Sequence, residues 1–291
     1  MVTTPDRPIS PPEIPTNPPA PLTITWQRLP DGFRLEEKPV ENTCQPLLAG
    51  ALRESLEITD RIQPTMLIAS NFGLCATVNN ELILKAPDWL WVPTVKTIIP
   101  DRKSYTPHLE GDPPAIVMEF LSATDGDEYS SKPTYPPGKW FFYEQVLQVP
   151  TYVIFEPDSG LLETYRLADS GYQLEQPDEN GHHWIPELNL FLGTWRGQKE
   201  ERTGYWLRWW DPDRQILPWA VEKVAAERQR AEEAQQRADQ EQQRADQEQQ
   251  RAEAERQRAD QEQQRAEVER QRADRLAELL RSQGIDPDAL I

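Results

Sequence analysis

The sequence predicts an α/β (α+β) sandwich, a central mixed β-sheet flanked by helices, followed by one long C-terminal α-helix. Three observations carry this. Residues 25–217 hold nine of the ten tryptophans and most of the aliphatic side chains, in segments of strand and helix length that follow one another. One of them, Ala115 to Leu121, is apolar at six of seven positions between Pro113-Pro114 and Ser122, as a strand buried on both faces would be. From about Glu222 the composition changes to a seven-residue repeat of strong helix formers.

The elements follow in order. Residues 1–24 carry eight prolines and few apolar groups, so a proline-rich, disordered arm is expected. The domain proper then runs from 25 to 217. Leu47, Leu48, Ala51, Leu52 and Leu56 recur at helical spacing and predict an amphipathic helix over 45–57. "ELILKAPDWLWV" (81–92) reads as strand, break at Pro87, strand, and "AIVMEFL" as the buried strand. "GKWFFYEQVLQV" (138–149) opens on glycine and places Trp140, Phe141, Tyr143, Val146 and Leu147 as a helix would. "TYVIFEP" (151–157) and "LLETYRL" (161–167), separated by Asp158-Ser159-Gly160, read as a hairpin.

The long helix is expected over 218–283, with 284–291 a C-terminal tail. "RADQEQQ" at 237 returns at 244 and 258 and, with changes, at 251 and 265, with alanine every seventh residue from 231 to 273. A firm coiled coil needs two apolar positions per heptad, and this repeat supplies one small one. A single helix or a weak coiled coil is therefore expected, self-association or a protein partner being strongest near Leu276, Leu279 and Leu280. Gln283-Gly284 and Pro287 should end it.

The formal charge of the 291-residue chain is −18, from 31 basic and 49 acidic residues, which disfavours a protein that coats nucleic acid or lies on an anionic membrane. Removing the 16 acidic and 13 basic residues of 222–281, with Asp286 and Asp288, leaves 31 acidic and 18 basic residues, so the body alone stands at −13. No segment approaches the apolar length of a membrane span, and the first residues lack the apolar core of a secretory signal. With only Cys44 and Cys75, two reduced thiols in a cytoplasmic protein are expected.

Glu119, inside the buried strand, raises the question of chemistry, because an ionised carboxylate in an apolar setting is costly unless paired. It reads either as an edge residue or arginine partner, or as a site acid. Asp88, at the strand break, is a turn residue or a second acid. Lys139 is a solvated lysine or a site cation, at a helix start where the dipole disfavours it. Two carboxylates and a lysine in this order form a kit for Mg²⁺-assisted phosphodiester hydrolysis. Glu54 reads as an exposed helix-face residue or an accessory metal-site acid. Asp125, Asp127 and Glu128 read as loop acids. His182-His183 lacks a spaced third ligand for zinc, and neither a P-loop nor a dinucleotide fingerprint is present. Arg102, Lys103 and Lys132 are the few cations near the candidate site.

"APDWLWVP", "PPAIVMEFLSATDGDE", "GKWFFYEQVLQVPTYVIFEPDSGLLETYRL" and "WIPELNLFLGTW", in that order over about 82–211, resemble the Uma-two family, a restriction-endonuclease family within the PD-(D/E)XK nuclease superfamily. "GYWLRWWDPDRQILP" and the QRADQEQ tail resemble one subgroup. The resemblance implies a restriction-endonuclease-like fold, a sheet of four or five strands, and a Mg²⁺- or Mn²⁺-dependent endonuclease acting on DNA. It implies Asp88 and Glu119 as catalytic acids and metal ligands. The superfamily lysine two residues after the second acid is replaced here by Leu121. Lys139 and Tyr143 instead match the Uma-type lysine at the next helix start and the tyrosine four residues on. The alternative is a catalytically inactive nuclease-fold protein that assembles partners through its long helix.

Overall fold

The computed structural model describes residues 22–27, 43–121 and 127–284. They fall into two compact units that meet between Ala220 and Val221. The predicted proline-rich arm lies outside the described residues except at its end, where Ile24 already belongs to a strand.

In the first unit, β1 (Ile24–Thr25) precedes α1 (Cys44–Glu57). Then come β2 (Leu67–Ala69), β3 (Gly73–Val78), β4 (Glu81–Lys85), β5 (Trp89–Val92), β6 (Ser104–Tyr105) and β7 (Ile116–Phe120). A single helical turn, α2 (Lys139–Phe141), continues as a π turn over Phe142–Val146. The strands β8 (Thr151–Glu156), β9 (Leu161–Ala168), β10 (Gly171–Leu174), β11 (His183–Ile185), β12 (Leu190–Lys199) and β13 (Arg202–Trp210) follow.

The central sheet has six strands in the order β10-β9-β8-β7-β5-β2. It is mixed, because β7 and β8 run parallel while its other neighbours are antiparallel. The parallel pair exists because the chain leaves β7, crosses through α2 and re-enters beside it, as a parallel connection must. The hairpin of β8 and β9 turns at Gly160, whose φ of +80° suits glycine. Two further sheets pack around it, β1-β3-β4 with β6 beside β3, and β11-β12-β13. The resemblance implied four or five strands in one sheet; the chain builds six and adds two smaller sheets.

Alternation along β7 decides where the site lies. Ile116, Met118 and Phe120 join one buried cluster with Leu48, Leu52 and Leu56 of α1, while Val117 joins the other with Phe142, Tyr143 and Tyr152. Side chains of a strand point to opposite faces in turn, so Glu119 shares the face of Val117 and looks toward α2. The helix expected over 138–149 is shorter than its pattern suggests. Leu147 N–H donates to the Phe142 carbonyl at 2.9 Å, five residues back, and Gln148 takes a φ of +52° ahead of Pro150. A widened turn of this kind is rare and found often at functional sites.

The described part of the second unit is almost entirely helix: α3 runs from Ala220, the last residue of the first unit, to Ser282 without a buried residue. Its surface is held by pairs one turn apart, among them Gln235 with Asp239, Gln242 with Asp246, and Arg230 with Glu227. Gly284 ends it with a φ of +75°. Its 63 residues extend about 95 Å at 1.5 Å per residue. Leu276 and Leu279, the best anchors for a second helix, are exposed. An excised peptide of residues 222–281 should give a strongly helical circular dichroism spectrum in the cold and sediment as a monomer at micromolar concentration. A tight dimer at nanomolar concentration would contradict the one-alanine heptad argument, since a buried Leu or Ile contributes about 1.5–3 kcal/mol that alanine does not.

Candidate functional site

Glu119 lies at the centre of β7 with none of its surface exposed. Strand β5 pairs with β7 through Trp89↔Met118, Leu90↔Val117 and Trp91↔Ile116. One further step of that register sets Asp88 opposite Glu119, and opposed residues share a face. Asp88 is held there by its own strand break: its Oδ2 accepts the Phe120 N–H at 2.6 Å. Pro87 supplies no N–H and ends β4's run, so β5 starts anew at Trp89 with Asp88 turned into the gap.

The other two residues arrive from α2. Lys139 Nζ donates to Glu119 Oε2 at 3.1 Å, and Tyr143 Oη donates to Glu119 Oε1 at 2.8 Å. One helical turn separates lysine from tyrosine, which is why a spacing of four brings both to one carboxylate. The structure therefore brings Asp88, Glu119, Lys139 and Tyr143 together. Around them stands an aromatic wall in which Tyr152 lies 5.2 Å from the Tyr143 ring and 5.7 Å from Trp140.

Glu54 does not join them. It lies on α1, against the opposite face of the sheet, where its carboxylate takes Lys199 Nζ at 2.9 Å and the Ala220 N–H at 2.9 Å. Both acceptors are committed to holding β12 and the end of the chain's body onto α1.

Sequence reasoning missed Glu128. Far from being a plain loop acid, it is 2% exposed and accepts Lys139 Nζ at 2.9 Å. Lys139 thus bridges two buried carboxylates. The loop is sewn to the start of α2 by Lys139 N–H to the Asp127 carbonyl, Gly138 N–H to the Lys132 carbonyl and Phe141 N–H to the Ser130 carbonyl. Asp127 pairs with Lys85 at 2.8 Å; Asp125 falls outside the described residues. The order of types in "TDGDEYS" distinguishes none of these acids, so only the fold of the loop could single out Glu128.

The electrostatics follow from burial. Both Glu119 oxygens accept hydrogen bonds, which favours the ionised form. Desolvation outweighs them and pushes the carboxyl up to about 8, with the Lys139 ammonium opposing and the Asp88 charge adding to the rise. Burial works to lower Lys139, but the Glu119 and Glu128 carboxylates overcome it and hold the ammonium above its ordinary range. Burial, then the Glu119 charge, lifts Tyr143 well above the usual phenol. Tyr143 is therefore a donor fixed to the carboxylate, and Lys139 keeps its proton at neutral pH.

The expected surface cations contribute little to a phosphate track. Arg102 is tied to Glu110 at 2.6 Å, while Lys103 and Lys132 are exposed. His182 stacks on Trp210 and His183 is buried in β11. Among the described residues no three His, Cys, Asp or Glu side chains form a ready metal cage, and no described helix is long and apolar enough to cross a membrane.

A family model, Uma2, described as "Putative restriction endonuclease", matches residues 29–197. It covers more than half of the chain, and its start lies well ahead of the motifs at 82–211 that carry the resemblance in the sequence. No curated protein matches the chain.

Proposed function

The chain belongs to the Uma2 family, and from that premise we propose that it is a divalent-metal-dependent endonuclease that hydrolyses DNA phosphodiester bonds at Asp88, Glu119 and Lys139. The observation that carries this reading is one buried carboxylate, Glu119, set opposite Asp88 across two paired strands and held by Lys139 and Tyr143.

The donor set suits the metal. Two facing carboxylates repel, as the Asp88 contribution to the raised Glu119 value records, and they are the hard oxygen ligands that Mg²⁺ or Mn²⁺ takes. A cation there would supply a water of lowered pKa and neutralise charge on a phosphoryl oxygen.

The chain's own residues do the rest. Tyr143 fixes the rotamer of Glu119 through Oε1, and the Phe120 N–H fixes Asp88. Lys139, protonated, is a donor and not a base, so its part is to hold a phosphate oxygen or orient the attacking water. Hydrolysis forms one P–O bond to the water oxygen and breaks one to the departing sugar oxygen. The ammonium is suited to the charge that grows on the phosphoryl oxygens between those two states. With its body at −13, the protein has little field to attract DNA, so binding is expected to be weak and confined to low salt.

Purified full-length protein with plasmid DNA should nick or linearise it in Mg²⁺ or Mn²⁺ and not in EDTA. Wild-type protein that binds neither cation and cuts neither single- nor double-stranded DNA would leave the non-catalytic assembly reading in its place.

A further inference from the structure

We propose that Glu128 is a third carboxylate of this cation site, a hard-oxygen ligand for a divalent metal, and that the Lys139 ammonium is its counter-ion when no metal is bound. The inference rests on the functional reading above and adds a residue to it.

Glu128 Oε2 is buried and finds no hydrogen-bond partner among the described residues, while Oε1 of the same carboxylate is fixed on Lys139. A buried carboxylate oxygen left without a donor is expensive, and protein interiors rarely keep one. Nor does Glu128 hang there by accident of a loose loop. Its own backbone carbonyl accepts Tyr152 Oη at 3.0 Å, and its neighbour Asp127 is fixed at backbone and side chain.

The charge count points the same way. Glu119 and Glu128 share the one Lys139 ammonium, and the Asp88 charge stands close enough to Glu119 to add to its raised pKa, so a single positive charge sits among three acids. A divalent ion answers that excess better than an ammonium does, because it brings two charges and several coordination positions.

Lys139 is also the member able to leave. Its side chain is 18% exposed, against 1% for Glu119 and 3% for Glu128. Its ammonium lies on a flexible four-carbon stem that is partly exposed, whereas the two acids are sealed. Withdrawal of the ammonium frees Glu119 Oε2 and Glu128 Oε1 together, and Glu128 then offers both oxygens.

The test is Mn²⁺ binding by calorimetry to the full chain without DNA, with folding of each variant read by circular dichroism. Glu128→Gln should weaken binding at least about tenfold, as loss of metal-site support does, and Glu119→Gln should weaken it too. Lys139→Met should melt lower than wild type in EDTA and gain a larger upward shift from Mn²⁺ than wild type does. The double variant Lys139→Met/Glu128→Gln, which removes a charge and its partner together, should lose that extra shift. Unchanged Mn²⁺ affinity in Glu128→Gln alongside a loss in Glu119→Gln would overturn the assignment of Glu128 alone. Wild-type protein that binds no Mn²⁺ would overturn both this inference and the functional reading.

Discussion

Glu119→Gln should cut DNA at least about a hundredfold more slowly than wild type, the loss expected when one preorganised charge is taken from an active site. The same variant should change the pH dependence of stability in a way that loss of a contact alone would not. The Glu119 carboxyl titrates near 8 in the fold against an ordinary 4.5. Between those values the folded chain holds a proton that the unfolded chain has released. That contribution to stability is full below about pH 4.5 and is lost as pH rises toward 8. Glutamine has no proton to lose. Thermal melting of wild type should therefore fall across that window relative to Glu119→Gln, whose profile should run flatter. Parallel profiles would show that the carboxyl is not held in its neutral form by burial.

Gly138→Ala should cost about 3 kcal/mol or more, at the upper end of what overpacking does. For a body of this size that is a fall in melting temperature of roughly 6–12 °C. Gly138 has a φ of −66°, open to any residue, so backbone strain is not the reason. A methyl group there would stand 1.9 Å from the Ser130 carbonyl oxygen and 2.4 Å from Ser130 Oγ. Backbone oxygen cannot yield as a side chain would, so the loop at 127–132 and the start of α2 must separate. That separation breaks the N–H bonds of Gly138, Lys139 and Phe141 to the loop and carries Glu128 away from Lys139. Scanning calorimetry measures the first effect and Mn²⁺ calorimetry the second. An alanine variant that melts with wild type would show the loop to be more forgiving than its packing implies.

The core of the candidate site was legible because two local rules conflict there. A charged residue within an apolar run marked Glu119, and a proline within a strand pattern marked Asp88. Lys139 and Tyr143 stand at a spacing that periodicity explains, but only the family resemblance gave that spacing a function. Glu128 was not legible, since its burial depends on a loop closing over the helix start through backbone bonds that no side-chain pattern encodes. Of the outer sheets only β4 was read as a strand, and the rest was hidden for different reasons. In β3, "GLCATV", small residues buried at every position leave no alternation to detect. In β13, Arg208 interrupts the apolar run yet is 1% exposed, its guanidinium 3.5 Å over the Trp219 ring and donating to the Leu217 carbonyl. A cation that satisfies itself on an aromatic face reads in sequence like a surface residue.

The repeat in α3 has a consequence of its own for addressing. The segments starting at 237, 244 and 258 are identical, and those at 251 and 265 differ from them at three of seven positions. Slid along its axis by one repeat, about 10.5 Å at 1.5 Å per residue, the helix presents nearly the same surface again. Two such helices side by side would have several alignments of similar energy, told apart only by the variant repeats at 251 and 265. By the same symmetry, a repeat gained or lost changes the length by one fixed step and leaves the chemistry of the surface as it was. The helix therefore carries information as a number of units more than as a sequence.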